Sequence, residues 1–518
     1  MMRRFFLILI ACCAIISLVQ PFIRSQVHYH NLDVAFNYHM ATLMTDGQIP
    51  YRDFIDFNFP TIWYISYIPA YISSFIHHDA IVLSLFLGGL TLISAILCAF
   101  LIVKCTLFSL MEQSLLCITL FFVFSTFQTY DFGQREHLFI LAYIPFLIRQ
   151  YLVPNLNRYK ILDCFIGFLT ITGAFIKPYF ILTLLCVELS AYSRNRSLNY
   201  TQGMRLGLLT GVIFWVGIFT YHVPEYLVIA EYATKTYAGQ NTMIGINPIS
   251  VILEHKLSLL VYAALCVYAL FYKKKDSLFL LHTVCTTASV MSFLSALIQM
   301  KGFDYHIKIA ASFSVISLSL GFMRFIPIYI HNKSIQKNFY IILCSAIVLR
   351  QCYTCTTLTE SYAQNYSPTT VSKNTDSLLS EHNNAKTIFK ISTFSQPLYP
   401  AIIKHPMRDI TGCNTLWYLG SFYRNQQSSA DTFTYHSVNT MQPLERYFFH
   451  KVTQSLTQQK PDIIIADSNY NYFFSVSGFD IKKYYTQDHF FATMLSDEYR
   501  SIAHTDGHTW YKKRSLHR

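Results

Sequence analysis

The sequence predicts an all-α polytopic membrane bundle of about eleven transmembrane helices, followed by a small extracytoplasmic α/β domain at the C-terminal end. Of the 518 residues, 53% are hydrophobic and only 13% are charged, whereas roughly a quarter of the residues in a soluble domain carry charge. Long apolar runs recur up to about residue 351, and polar residues dominate from about Thr354 onwards. Lipid, and not water, is therefore expected around most of the chain.

The apolar runs give the candidate spans. A helix needs about twenty apolar residues to cross a bilayer core about 30 Å thick. The runs near that length are residues 5–23, 79–103, 113–128, 137–151, 161–176, 178–192, 206–223, 249–272, 277–299, 306–323 and 338–351. We interpret the first run as an uncleaved span, because no small-residue cleavage site follows Gln20 as it would in a signal peptide.

Basic residues form short clusters in every second loop, which is typical of loops held in the cytoplasm. The clusters are Arg3–Arg4, Lys104, Arg149 with Arg158 and Lys160, Arg194 with Arg196 and Arg205, Lys273–Lys275, and Arg324 with Lys333 and Lys337. This alternation predicts a multi-pass membrane protein with a cytoplasmic N-terminus and an external C-terminal domain. It also explains the formal charge of +12, so no nucleic-acid partner is expected.

Two domains are predicted. Residues 1–352 form the membrane module, and residues 353–518 form the external domain. In the external domain, the short apolar runs at 389–394 and 462–466 predict buried strands, and residues 444–456 predict a helix.

The first outer loop, residues 24–78, is long and has its own predicted structure. Residues 33–45 predict an amphipathic helix that stops at Gly47. Residues 60–76 are rich in aromatic side chains and predict a helix that lies along the membrane interface.

Ionisable and hydrogen-bonding residues recur at the outer ends of the predicted spans, in segments far apart in sequence. A charged side chain at the membrane boundary of a bundle is costly unless it is exposed to water, paired with an opposite charge, or part of a functional site. The candidate functional residues are His28, His30, Asp33, Asp53, Asp56, Arg135, Glu136, His137, Lys177, Lys301, Tyr305 and His306.

Four of these segments resemble a family. Asp33 after the first span, the Gly-x-x-Pro-Tyr-x-Asp-x-x-Asp stretch at Gly47–Asp56, and the segments Gly133–His137 and Lys301–His306 resemble polytopic glycosyltransferases of the GT-C fold. That family includes protein mannosyltransferases, aminoarabinose transferases and the catalytic subunits of oligosaccharyltransferases. The resemblance covers about residues 1–350, and the C-terminal domain has no matching motif.

The resemblance implies a GT-C-like membrane module that takes a sugar from a polyprenyl-phosphate or polyprenyl-diphosphate carrier. The acceptor would be a glycan, lipid or protein outside the cytoplasm. Asp33 matches the essential acid of the first outer loop, and Glu136 matches a second acid. The sequence departs from the mannosyltransferase branch at Gln134–His137, where that branch has an Asp-containing pattern.

The residues also suit this chemistry by themselves. Sugar transfer from a phosphate needs a base for the acceptor hydroxyl and cations for the departing phosphate. Asp33 is the candidate base, and the role of Glu136 as a second catalytic acid is implied by the resemblance alone. Arg135, Lys177, Lys301 and His306 are candidate phosphate contacts, and the remaining candidate substrate contacts are Asp53, Asp56, His137 and Tyr305.

Structural alternatives exist for the same residues. Asp33 is also placed to act as a helix N-cap, and Asp53 and Asp56 also suit a solvated turn. Arg135 and Glu136 suit an ion pair between loops. Lysines at helix ends, here Lys177 and Lys301, commonly extend towards the interface.

No cofactor is required by the expected reaction, although a divalent metal ion remains an alternative. His28, His30 and Asp33 stand close together in sequence, but a zinc site needs three or four converging ligands.

Two other functions are weighed against the enzyme. A transporter or flippase of lipid-linked glycans should carry ionisable residues in mid-membrane and often paired repeats, whereas Asp163 and Glu188 are the main such residues in the apolar runs. A non-enzymatic envelope-assembly protein would not need Asp33.

Overall fold

The fold is known from a computed structural model, which describes residues 7–16, 19, 30–152, 159–195, 200–233, 277–299, 304–364, 370–412, 416–423, 433–467 and 479–514. The described chain is mostly helical and has a small sheet near its C-terminal end. The predicted combination of a helical bundle with a C-terminal α/β unit is confirmed at this level.

The described helices of the membrane module follow one another along the chain. They are α1 (Leu7–Ile16), α2 (Leu32–Thr45), α3 (Thr61–Ile76), α4 (Asp79–Lys104), α5 (Leu110–Phe124), α6 (Arg135–Leu152), α7 (Lys160–Ala174), α8 (Pro178–Asn195), α9 (Gln202–Gly217), α10 (Ser277–Gln299), α11 (Asp304–Tyr329) and α12 (Lys333–Gln364).

Within the described residues, five segments are long and apolar enough to cross a membrane, as judged by length and composition. They are Asp79–Lys104, Leu110–Asp131, Gln202–His222, Leu278–Ile298 and Tyr305–Tyr329. The chain therefore has the character of a membrane protein. The larger number of about eleven spans stays a prediction, since the run at 249–272 lies outside the described residues and other apolar helices are shorter.

The predicted helix of the first outer loop is confirmed as α2. It begins because the Asn31 side chain caps it, accepting a hydrogen bond from the backbone N of Asp33 at 2.9 Å. It ends before Gly47, whose φ of +82° suits glycine. The amphipathic prediction is wrong, however, because every residue from Val34 to Ala41 is buried.

The C-terminal domain consists of short helices and strands. They are α13 (Thr370–Glu381), β1 (Thr387–Ile391), β2 (Arg408–Asp409), α14 (Pro443–Gln459), β3 (Ile463–Asp467), α15 (Ile481–Tyr485), α16 (His489–Glu498), β4 (Tyr499–Thr505) and β5 (His508–Lys513). The five strands form one sheet in the order β2-β1-β3-β5-β4. Strand β1 pairs in parallel with β2 and β3, and β5 pairs antiparallel with β3 and β4. The predicted strands are present as β1 and β3, and the predicted helix is present as α14.

The C-terminal domain packs against the face of α2 that the amphipathic prediction places in solvent. The ring of Phe36 packs against Tyr399 with centroids 5.6 Å apart. His39 Nε2 lies 3.0 Å from the backbone oxygen of Asp409, and Arg408 Nη1 pairs with Asp46 Oδ2 at 2.7 Å. The opposite side of α2 packs on α3, where Trp63 Nε1 donates to Asn37 Oδ1 at 3.1 Å. This double cover explains why α2 is buried on all sides.

Candidate functional site

Several predicted site residues meet where helices begin. Asp33 lies in the first turn of α2, Arg135 begins α6, Lys177 joins α7 to α8, and Tyr305 lies in the first turn of α11. Arg135 Nη2 lies 3.8 Å from Asp33 Oδ2, and Lys177 Nζ lies 5.2 Å from the centre of the Tyr305 ring. Four segments that are distant in sequence thus form one polar cluster at one end of the bundle.

The turn before α6 sets the position of Arg135. Gly133 has a φ of +86°, a backbone conformation that favours glycine, and a Cβ at this position would lie 2.6 Å from Leu87 Cδ1, so the Leu87 side chain would have to move. The backbone N of Gly133 donates to His137 Nδ1 at 2.9 Å, and His137 Nε2 lies 2.8 Å from the Phe124 oxygen. Both nitrogens of the fully buried His137 ring thus contact backbone, so its substrate role would require these contacts to break.

Asp33 is not the N-cap of α2, since Asn31 holds that place. Its Oδ2 instead accepts a hydrogen bond from Gln134 Nε2 at 3.2 Å and faces Arg135. The Asp33 side chain keeps 29% of its surface exposed, whereas that of Arg135 keeps 11%. The carboxylate is therefore held by neighbours on one side and open on the other, as a base for an incoming hydroxyl must be.

Arg135 is fixed from the first outer loop. Its Nη1 donates to the side-chain oxygen of Asn58. Within the described residues, its buried Nε has no hydrogen-bond partner. A buried donor without a partner is costly, and a bound anion could satisfy this atom only if the site opened around it.

Asp56 acts on this cluster through Asn58. Its Oδ1 accepts hydrogen bonds from the backbone N of Phe57 and, at 3.1 Å, of Asn58. Both carboxylate oxygens also lie 3.2 Å from Asn58 Nδ2. Burial raises the pKa of Asp56 to about 6. By contrast, Asp53 is a turn residue whose Oδ2 accepts from the backbone N of Ile49 at 2.7 Å.

Glu136 and Lys177 form a buried ion pair behind Arg135. Lys177 Nζ lies 2.5 Å from Glu136 Oε1, which also accepts from the Tyr179 hydroxyl at 2.9 Å. Burial, aided by the Arg135 guanidinium, lowers the pKa of the Lys177 amine to about 8. In the part of the chain that is described, the buried Glu136 Oε2 has no hydrogen-bond partner. His306 is buried beside Tyr305, with ring centroids 4.3 Å apart.

The remaining predicted residues are placed as follows. Lys301 and His28 lie outside the described residues. His30 Nε2 lies 3.2 Å from the Ala80 oxygen and 3.1 Å from Ser84 Oγ. The described residues contain no group of three or more His, Cys, Asp or Glu side chains arranged to hold a metal ion. A site that includes His28 stays a prediction.

Four uncharged residues belong to the cluster but received no role from the sequence. Asn31 caps the helix that carries Asp33, and Gln134 donates a hydrogen bond to Asp33. Asn58 accepts a hydrogen bond from Arg135, and Tyr179 donates one to Glu136. Amide and phenol side chains are common on loops, so only their position next to the charged motif residues could have indicated them. No family model matches the chain, and no curated protein matches its sequence.

Proposed function

We propose that the chain is a membrane glycosyltransferase, which moves a sugar from a polyprenyl-phosphate or polyprenyl-diphosphate carrier to an extracytoplasmic acceptor. The proposal includes a GT-C-like bundle of about eleven spans in a bacterial inner membrane, with the C-terminal domain on the outer side. The observation that carries it is the pair formed by the partly exposed Asp33 carboxylate and the Arg135 guanidinium, 3.8 Å apart at the end of an apolar bundle.

This pair has what the transfer needs. Asp33 takes the proton from the acceptor hydroxyl, and the hydroxyl oxygen then bonds to the anomeric carbon of the donor sugar. The bond from that carbon to the phosphate oxygen breaks, and its electron pair stays on the phosphate. Arg135 stabilises this charge, because a guanidinium binds phosphate with two parallel N–H donors.

The neighbouring residues keep Arg135 in position and add positive charge. Asn58, itself held by Asp56, receives one Arg135 N–H. The Glu136–Lys177 pair supports the same helix start from behind. In this proposal His306, in the first turn of α11, and Lys301, three residues before α11 in the sequence, contact the phosphate. Because Glu136 is fully buried and bound to Lys177, we assign it a positioning role and give the base function to Asp33 alone.

The transporter alternative has some support from buried ionisable groups. Arg149 Nε lies 2.6 Å from Asp163 Oδ1, both fully buried, and Glu188 accepts hydrogen bonds from Tyr151 and Tyr200. Arg149 and Asp163 lie near helix ends, at Leu152 and Lys160, and Glu188 is held by its two tyrosine partners. Such pairing suits a structural role better than a mid-membrane pathway.

The deciding experiment is a transfer assay in detergent. The purified chain is mixed with a lipid-linked sugar donor and a membrane extract as acceptor, and the products are identified by mass spectrometry. An enzyme forms a new covalent glycoconjugate and releases the polyprenyl phosphate. A transporter forms no product in detergent, where no membrane separates two compartments. Absence of any product with donors of several sugar types would contradict the proposal.

A further inference from the structure

A polar cavity, separate from the cluster around Asp33, lies between the first outer loop and the C-terminal domain. It has a volume of about 660 Å³, within the range of sites that bind small organic ligands, roughly 300 to 1,000 Å³. Its walls come from the C-terminal half of α2, the later half of α3, residues 77–81 and residues 402–408. It lies at the far end of α2 from Asp33, since Thr42 in its wall is nine residues further along the helix, or about 14 Å.

The fixed charges in the cavity wall balance. Lys404 and Arg408 supply two positive charges, and Asp46 and Asp79 supply two negative charges. Asp46 is paired with Arg408 at 2.7 Å, and Asp79 accepts a hydrogen bond from the Ser73 hydroxyl. A ligand with a large net charge would leave part of this balance unmatched, which is costly in a partly enclosed site.

The wall offers many donors and acceptors at once. The hydroxyl groups of Thr42, Thr45 and Ser74 each donate to a backbone oxygen of their own helix at 2.7 Å, so their oxygens face a ligand as acceptors. Donors come from the Lys404 amine and from the Arg408 guanidinium, whose side chain is 34% exposed. A ligand that matches this mixture carries many hydroxyl groups, each both a donor and an acceptor.

The cavity also lies beside an apolar surface. On α3, Tyr71 is 50% exposed and Phe75 is 68% exposed, next to Ser73 and Ser74 in the cavity wall. Exposed aromatic side chains of this kind are typical of the membrane interface. A polar head group in the cavity would thus be at the level where a lipid-anchored or membrane-attached molecule presents it.

We propose that this cavity binds an uncharged or zwitterionic saccharide portion of the acceptor, away from the reacting hydroxyl. The proposal rests on the glycosyltransferase function and names the class of acceptor. Because the cavity and Asp33 are separated by much of the length of α2, the acceptor is an oligosaccharide or glycolipid that extends from the cavity to Asp33. The saccharide is held in the cavity while the carboxylate takes the proton.

The test uses the full-length protein in lipid nanodiscs and an array of immobilised oligosaccharides with neutral, zwitterionic, sulfated and uronic-acid members. The wild-type protein should bind a subset of the neutral or zwitterionic members without any donor. Ser74→Trp, which places an indole ring in the cavity wall, should weaken this binding at least tenfold. Ile72→Trp is the matched control, because Ile72 lies on the same helix but is exposed on its apolar surface, and it should bind as the wild type does.

The outcomes separate the two proposals. If no oligosaccharide binds, if only acidic members bind, or if Ser74→Trp binds as the wild type does, the cavity assignment is wrong, even if transfer activity is found. If binding depends on the cavity but no donor yields a product, the saccharide site stands and the proposed function fails. In the transfer assay, Ser74→Trp should raise the KM for the acceptor and leave the KM for the donor unchanged.

Discussion

Lys177 Nζ lies 2.5 Å from Glu136 Oε1, and both side chains are almost completely buried. The charges are thereby removed from water and depend on each other. Tyr179 donates one hydrogen bond to Glu136. The Glu136–Lys177 pair lies next to Arg135, which faces Asp33. The start of α6 is thus connected to the turn between α7 and α8 by one ion pair.

This connection leads to a prediction about stability. Glu136→Gln or Lys177→Met alone leaves a buried charge without its partner, so each should destabilise the protein by about 3 to 5 kcal/mol. The double variant, which leaves no charge, should recover most of the melting temperature. The matched control is the exposed pair Arg52–Glu225, 2.9 Å apart, where Arg52→Ala should cost less than about 1 kcal/mol. Equal effects at the buried and the exposed pair, measured by thermal unfolding in detergent, would contradict this account.

The second prediction concerns phosphate recognition. Arg135→Lys keeps the charge but loses the planar group that contacts Asn58 and faces Asp33. Turnover with a lipid-phosphate donor should fall by tens to hundreds of times, as for the loss of one donor to a transition-state charge. Lys301→Ala should have an effect of similar size. Arg205→Lys is the control, because the Arg205 side chain is exposed and donates from Nε to the Tyr200 backbone oxygen at 3.2 Å. Normal turnover in both site variants at equal protein level would remove support for the phosphate site.

Asp56 gives a prediction about pH. Its pKa is about 6 in the folded protein, against an ordinary value of 3.8, so the folded state holds the proton more tightly than the unfolded state. Stability should therefore fall as the pH rises from about 4 to about 6 and then level off, by roughly 3 kcal/mol in total. Asp56→Asn lacks this proton, so the melting temperature of the wild type minus that of the variant should decrease over the same range. A difference that stays constant or increases with pH would show that burial does not raise this pKa.

The predicted topology is open to a direct test. Reporter fusions at residues 275 and 515, or single cysteines labelled from outside, should place residue 275 in the cytoplasm and residue 515 outside. The reason is the alternation of basic clusters, which holds Lys273–Lys275 on the cytoplasmic side. Labelling of both positions from the same side would overturn the predicted membrane arrangement.

Local signals in the sequence were sufficient for several elements. Helix α2 was predicted at 33–45 and lies at Leu32–Thr45, because its limits are set by nearby residues, Asn31 and Gly47. Strands β1 and β3 were predicted from short apolar runs. The hairpin of β4 and β5 was missed, although Asp506–Gly507 between the strands, with φ of 53° and 78°, is a typical hairpin turn.

What local signals could not supply were contacts between distant segments. His39 contacts the backbone of Asp409, 370 residues away. Contacts of this kind with the C-terminal domain bury α2, which the sequence predicts as amphipathic. In the candidate site, charged residues such as Asp33, Arg135 and Lys177 could be found because charge is rare in an apolar chain. Asn58 was missed because its role depends on a side-chain contact with Arg135, 77 residues away.

The last prediction concerns Asp33, for which the structure separates two roles. Asn31 caps α2, so the Asp33 carboxylate is not needed to begin the helix. Its Oδ2 receives Gln134 Nε2 and faces Arg135, while 29% of the side chain stays exposed. Asp33→Asn keeps the size and an oxygen for Gln134, but it removes the charge and almost all basicity.

If Asp33 is the base, Asp33→Asn should fold normally and lose about 10² to 10⁴-fold in transfer rate, which is typical for the loss of a general base. Asn31→Ala serves as the structural control: it removes the helix cap and the hydrogen bond from Gln134 but leaves the Asp33 carboxylate. It should lower stability by about 1 kcal/mol or more, with a much smaller loss of rate. Both variants are compared with the wild type in detergent, by melting temperature and by transfer from a purified lipid-linked sugar. Glu136 is bound to Lys177 through Oε1, so a base role for it would require its buried Oε2 to become accessible. Substantial activity in Asp33→Asn would mean that Asp33 is not the base, and the catalytic assignment would have to move to Asp53, Asp56 or Glu136.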